Sequence, residues 1–173
     1  MTTGVQNVII GAQAGDALTN ADHNVAVGPY ALTSDTLGSR STAVGFGTLV
    51  TQNFTTATDA NNTAVGYNAG TAITTGVQNV LIGNHAGDSL TDADYNIAIG
   101  YAALDADTLG SKSTAMGYNA LGSQNFATAT DSGNTAVGYQ AGASISTGVN
   151  NTFIGNQAGQ NSTDTDYNTA IGD

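Results

Sequence analysis

The feature that most constrains this chain is a nine-residue motif, approximately Asn-Thr-Ala-Val-Gly-Tyr-x-Ala-Gly/Leu, which occurs ten times. It begins at positions 7, 24, 41, 62, 79, 96, 113, 134, 151 and 168. Steps of 17, 17, 21 and 17 residues form a 72-residue unit, and the segment at 3–8 accordingly returns at 75–80. A fixed short period is typical of a solenoid, in which each coil stacks on its neighbours.

The repeat predicts an all-β fold, a parallel β-solenoid of ten coils. We expect one domain over residues 1–173, with super-repeats at about 4–75 and 76–147 and a partial one at 148–173. A coil of 17 residues is too short for a strand and a full helix, so two or three short strands joined by turns are expected. Ten coils at a strand spacing of ~4.8 Å give a rod about 45 Å long.

Each motif contains a short alternating segment that ends at its glycine. The residue before the glycine is apolar in all ten copies, and the residue three before it is Val, Ile or Thr. Alternating β-branched residues between turn residues are typical of strands, in which these two positions share one face. We predict that both columns point inward and form the core, each buried Val or Ile contributing ~1.5–3 kcal/mol.

Two further columns are interpreted as structural. The first motif position is Asn in eight copies and Ser at 41 and 113, and stacked Asn side chains form hydrogen-bonded ladders. The motif glycine predicts a backbone angle or a close approach that other residues do not allow.

Charge is scarce and almost entirely negative. The 13 acidic residues are all Asp, only Arg40 and Lys112 oppose them, and the net charge is −11. A surface with so few cations cannot neutralise phosphates, so neither nucleic acid nor anionic lipid is expected as a partner. No run approaches eighteen apolar residues, so membrane insertion is not expected.

Two coils are 21 residues long, and the four extra residues of each lie within 50–61 and 123–133. Each insertion contains Gln-Asn-Phe, which ends at Phe54 and Phe126. Insertions in solenoids emerge as loops, often on the binding face. The favoured interpretation is that both rings cap the core beneath the loop; the alternative is that they contact a partner.

The residues that catalysis needs are scarce. His23 and His85 occupy columns that hold Tyr or Gln in other copies, which indicates surface positions. No Ser has a separate setting with His and Asp, and the glycines follow the coil period instead of preceding a helix. We predict a protein that is not an enzyme and needs no cofactor.

Paired aspartates are the one candidate for metal binding. Asp92 and Asp94 are equivalent to Asp164 and Asp166 in the next super-repeat. Ca²⁺ takes six to eight oxygen ligands, but this spacing matches neither the EF-hand nor the calcium-binding nonapeptide repeat. Solvated turns are the favoured interpretation, and calcium binding is the alternative.

The segments at 62–70 and 96–104 resemble two related groups of repeats. One is the tail-fibre repeats of phages, especially marine ones, often found ahead of an endosialidase-type self-cleaving chaperone. The other is the head repeats of trimeric autotransporter adhesins. The resemblance covers nearly the whole chain, although these coils are longer than those of adhesin heads. It implies a left-handed parallel β-roll, three chains around one axis and a role in attachment, and the expected location is extracellular or on a virion. Contact with a glycan or another cell-surface group is expected at loops or at an absent tip.

The middle position of the strand also bears on assembly. It is Ala in seven copies and is bulky at Ile9, Leu81 and Phe153. A strand that is apolar on both faces is normally buried on both, so a partner chain is expected to cover the middle column. The tyrosines after the glycine are expected at that interface or on an outer surface.

The expected function is a homotrimeric fibre or adhesin shaft that supports host-surface attachment. One alternative is a self-assembling filament, in which unpaired end strands stack end to end. A second is an ice-binding solenoid that presents a Thr array. The interruption of the main Thr column by Val8, Val25, Val80 and Ile97 fits a half-buried column better than an ice face.

Overall fold

In a computed structural model, residues 3–173 are described, and they form fourteen short strands and no helix. Residues 1 and 2 of the predicted domain lie outside the described residues. No helix in the described part of the chain could cross a membrane. Ten three-residue strands, one per coil, form a single parallel sheet: β1 (Val8–Ile10), β2 (Val25–Val27), β4 (Thr42–Val44), β6 (Thr63–Val65), β7 (Val80–Ile82), β8 (Ile97–Ile99), β10 (Thr114–Met116), β12 (Thr135–Val137), β13 (Thr152–Ile154) and β14 (Thr169–Ile171).

Strand pairing follows the repeat without slippage. Val44 of β4 lies opposite Val65 of β6 across a 21-residue step, and Val65 lies opposite Ile82 of β7 across a 17-residue step. The predicted all-β parallel solenoid of about ten coils is therefore confirmed.

The expectation of two or three strands in every coil is wrong. Only four coils contain a second strand, which is two residues long: β3 (Gly38–Ser39), β5 (Thr58–Asp59), β9 (Gly110–Ser111) and β11 (Thr130–Asp131). The turns are nevertheless tied to the next coil by backbone hydrogen bonds. Leu32 N, for example, donates to Thr48 O at 3.0 Å. The turns thus stack as regularly as the strands.

The predicted facing of the strands is also wrong. The middle residue of the strand is buried in eight of the ten coils, whereas none of the twenty flanking strand residues is buried. Leu81 is fully buried while its neighbour Ile82 is 38% exposed. The small middle column therefore faces the chain's own core, and the β-branched columns face outward.

Most of the large side chains of the core come from the turns that face the sheet across each coil, and not from the sheet strands. Fully buried leucines and isoleucines project from the turns towards the middle column: Leu18, Leu32, Leu49, Ile73, Leu90, Leu104, Leu121 and Ile145. Ala is the middle residue that fits beside them at close packing. A bulky middle residue occurs in coils where glycine takes the position that Leu32, Leu49, Leu104 and Leu121 hold elsewhere. A Cβ on Gly87 would lie 2.8 Å from Leu81, and one on Gly159 would overlap Phe153.

The Asn column stacks as predicted, and six of its eight Asn are buried. Asn79 N donates to Asn62 Oδ1 at 2.9 Å, and Asn96 N donates to Asn79 Oδ1 at 2.9 Å. The Asn79 amide nitrogen also donates to Ala93 O at 2.7 Å. Each Asn therefore joins its own coil to the preceding and following ones.

The motif glycine is confirmed as a position closed to other residues. Gly66 has a φ of +140°, a region that side chains disfavour. A Cβ there would lie 2.5 Å from the Gly83 carbonyl oxygen in the next coil. The coils can therefore approach closely only if this column is glycine.

Candidate functional site

The outward face of the ten-stranded sheet is a uniform surface that extends over all ten coils. Its two columns contain fourteen apolar side chains and six threonines, with no charged residue. Every one of these side chains is partly or largely exposed, Met116 to 39% and Ile154 to 40%. A contiguous exposed apolar face is a candidate interaction surface.

A second surface feature is a continuous row of seven rings, one from each of seven successive coils. We call it the aromatic ladder: Tyr30, Phe46, Tyr67, His85, Tyr101, Tyr118 and Tyr139. Neighbouring ring centroids are 5.2–6.2 Å apart, within the range of favourable aromatic pairs. The six rings other than His85 are 40–51% exposed.

The ladder was only partly predicted. The sequence places the tyrosines after the glycine on an interface or an outer surface, but this prediction does not include Tyr30, Phe46 or His85. Where the position after the glycine is Pro29 or Asn84, the following residue supplies the ring. The signal in the sequence was therefore present, but it was divided between two adjacent columns.

Three titratable groups meet beside the ladder. His85 Nδ1 lies 2.8 Å from Asp88 Oδ2, and both side chains are about two-thirds buried. Burial raises the pKa of Asp105, the Asp88 carboxylate raises it further, and His85 opposes this by lowering it. These groups form a small polar break in an otherwise neutral strip.

Buried polar networks lie at the base of the two long coils, while the loop residues at 55–57 and 127–129 are exposed. Phe54 and Phe126 are each only 5% exposed and pack beside Gly38 and Gly110. This location matches the capping interpretation and leaves neither ring open to a partner.

The networks also explain why Ser replaces Asn at 41 and 113. In the second copy, Gln124 Oε1 accepts from Asn134 Nδ2 at 2.8 Å. Gln124 Nε2 donates to Asp107 Oδ2 at 2.5 Å and to Ser113 Oγ at 3.0 Å. The glutamine thus bridges the position where the Asn ladder is interrupted, and Gln52 does the same between Asp35 and Asn62.

The four candidate metal ligands act as hydrogen-bond acceptors between coils. Asp94 Oδ1 accepts from Val77 N, and Asp166 Oδ1 accepts from Val149 N, each at 2.8 Å. Asp92 and Asp164 accept from threonine hydroxyls of the preceding coil at 2.6 Å and 3.1 Å. Across residues 3–173, no group of three or more His, Cys, Asp or Glu side chains is arranged to hold a metal.

Both strongly basic residues are paired with aspartates on the surface. Arg40 Nε lies 3.2 Å from Asp59, and Lys112 Nζ lies 2.5 Å from Asp131, whose hydrogen bond and charge raise the pKa of the lysine. The rest of the surface charge in the described chain is therefore negative. The described residues also enclose no detectable cavity.

The chain matches no protein-family model. It also matches no curated protein and no solved structure.

Proposed function

We propose that this protein is a non-enzymatic shaft segment of a fibre or adhesin, similar to phage tail-fibre repeats, which supports attachment to a host surface from an extracellular or virion location. The observation that carries the proposal is the outward apolar face of the ten-stranded sheet. A rod that exposes one uncharged face along its length is suited to lie against copies of itself.

The proposed partner is the chain itself, in a homotrimer with the sheet faces turned towards a common axis. Each Val or Ile that becomes buried there contributes up to ~1.5–3 kcal/mol. The interface is supplied by the outer columns and not by the middle column, which is already buried in the chain's own core. Resemblance to phage and adhesin repeats supports three chains in particular.

Light scattering during size-exclusion chromatography tests this proposal. We expect a particle with three times the 17.2 kDa mass of one chain, stable on dilution. Val65→Lys with Val137→Lys places two charges on the outward face, and we expect this double variant to be a folded monomer because buried unpaired charges are costly. Gln78→Lys adds a charge at an exposed turn and serves as the matched control.

A monomeric parent chain would refute the shaft trimer. A mass that rises continuously with concentration would instead favour the self-assembling filament. Circular dichroism of each variant separates loss of association from loss of folding.

Ice binding is a second candidate that one observation favours. Six threonines point outward from the sheet in one column, at 42, 63, 114, 135, 152 and 169, and four of the ten positions in that column are apolar. A regular and uncharged face suits contact with a crystal surface as well as with a second chain. Thermal hysteresis by a monomer would support this candidate, and a trimer without hysteresis would exclude it.

A further inference from the structure

We propose that the aromatic ladder binds a neutral, linear glycan that lies along the rod. This inference rests on the proposed function, because it names the ligand class and the surface through which a shaft would attach. It concerns a row of side chains that borders the sheet face proposed for self-association, since Tyr67 follows Val65 by two residues.

The continuity of the ladder exceeds what coil packing requires. At Asn84 the ring is supplied by His85, one residue later, and the row remains unbroken from Tyr30 to Tyr139. Rings that served only to stabilise the rod would contribute most if they were buried, yet the six rings other than His85 remain 40–51% exposed. A contiguous exposed aromatic strip marks a contact surface.

The ring orientation defines which groups a ligand would meet. Tyr101, Tyr118 and Tyr139 stack with interplanar angles of 11° and 14°, so their faces cover one another. Their outer edges and phenolic hydroxyls remain for a ligand. No hydrogen bond joins these hydroxyls to another group of the described chain. A row of apolar edges and free hydroxyls suits a polymer with both C–H and O–H groups on each unit.

Three of the ladder tyrosines are followed by amide residues, and the acidic groups beside the ladder, Asp88 and Asp105, lie at the His85 position. Asn68, Asn119 and Gln140 follow the ladder tyrosines directly in the sequence. Tyrosine with amide side chains combines rigid amphipathic contact area with adaptable hydrogen bonding. A net charge of −11, with both strongly basic residues paired to aspartates, disfavours sulfated or sialylated chains.

The ligand is expected to be extended because the surface is open. Small-molecule sites are concave, and the described residues have no detectable cavity. A proline-rich peptide would need an aromatic-lined groove, which is absent for the same reason. An open strip that repeats once per coil instead matches a chain of repeating units, each of which makes a similar weak contact.

The test is binding of fluorescently labelled protein to an array of neutral linear oligosaccharides made of hexose and N-acetylhexosamine units, with heparin and a proline-rich peptide on the same array. We expect binding to neutral chains, stronger for longer ones. Tyr67→Ser with Tyr118→Ser should weaken it about tenfold or more, since aromatic anchors carry much of the energy of an interface. Tyr118→Phe retains the ring and removes the hydroxyl, so a smaller loss is expected.

Tyr95→Ser is the matched control, because Tyr95 is 49% exposed but lies outside the ladder. Binding to none of the neutral chains would overturn the inference, as would equal binding by the double variant, or a preference for heparin or the peptide. Thermal unfolding shows whether each variant is folded. A chain that is monomeric in light scattering but binds neutral glycans through the ladder would contradict the trimer alone, whereas a trimer that binds none would contradict the ladder inference alone.

Discussion

Replacement of Gln124 by Ala tests whether the buried polar network holds the long coil together. Gln124 is fully buried, and its amide bonds to Asp107, Ser113 and Asn134. In Gln124→Ala, Asp107 Oδ2 loses the donor at 2.5 Å, and Asn134 Nδ2 keeps only the Gly148 carbonyl at 2.7 Å. We therefore expect a specific loss of stability at this coil.

The magnitude has two sources. A buried polar group left without its partner costs ~1–3 kcal/mol, and more if it is charged. The amide volume removed leaves a cavity, which adds a cost in proportion to its size. We expect the free energy of unfolding to fall by about 3–5 kcal/mol. Gln124→Leu fills most of the space without restoring the bonds, so about 2–3 kcal/mol of the loss should remain.

The assay is reversible urea unfolding followed by circular dichroism, with amide hydrogen exchange to locate the weakened coil. Gln52→Ala repeats the experiment at the equivalent site of the first super-repeat and should give a similar loss, since Gln52 also bridges a buried Asp and an Asn. Gln78→Ala changes an exposed glutamine and should stay within about 0.5 kcal/mol of the parent. A Gln124→Ala variant as stable as Gln78→Ala would refute the reasoning.

Three further predictions test the core, the glycine column and the acidic cluster. Leu81→Ala should lower the free energy of unfolding in urea by ~2–5 kcal/mol, because Leu81 is buried. Ile82→Ala, measured in a monomeric background, should lower it by less than about 1.5 kcal/mol, because Ile82 is partly exposed. Equal losses would contradict the facing of the strand. Gly66→Ala should cost ~2–4 kcal/mol from a strained backbone and an overlap with the next coil, whereas Gly172→Ala, with no atom within 4 Å of its added Cβ, should show the backbone strain alone. The pKa of Asp105 is raised in the folded state, so over the pH range between its ordinary pKa of 3.8 and the raised pKa the native state binds more protons than the unfolded state. The contribution of this group to the free energy of unfolding therefore falls as the pH rises through that range. Asp105→Asn should therefore raise the melting temperature at pH 7 and flatten its dependence on pH above 3.8; a lower melting temperature at pH 7 would contradict this.

The period of the sequence was sufficient to predict the solenoid, the positions of the sheet strands, the Asn ladder and the glycine column. Each of these depends on one residue type that recurs at one spacing. Stacking at strand distance leaves a column such as Gly66 and Gly83 with a single physical solution, because any Cβ would meet the next coil. Such features need no knowledge of what lies across the core.

The facing of the strands could not be obtained from the strand pattern alone. Alternation establishes that Val44 and Thr42 share one face and that Ala43 takes the other, but it does not say which face is buried. The larger apolar residues suggested the wrong choice, because the core is filled from the opposite wall by residues such as Leu49. The signal that distinguishes the two choices is a correlation within a coil, where a bulky Leu81 accompanies Gly87.

The same correlation gives the 72-residue period a physical cause. In coils with Gly15, Gly70 or Gly87 in the turn, the residue three positions later is a buried Leu or Ile, for example Leu90 after Gly87. Coils with Leu104 or Leu121 place Asp107 or Gln124 at that position instead.

The buried Asp of one coil accepts a hydrogen bond from the buried Gln of the next coil. Coils with a polar residue at this core position must therefore occur in adjacent pairs. A bulky middle residue such as Leu81 or Phe153 fits where two successive coils, its own and the preceding one, have the glycine turn. Coils with the glycine turn therefore also occur in pairs. A pair of one kind of coil alternates with a pair of the other kind, so the structure repeats after four coils. Four coils are the 72-residue unit of the sequence.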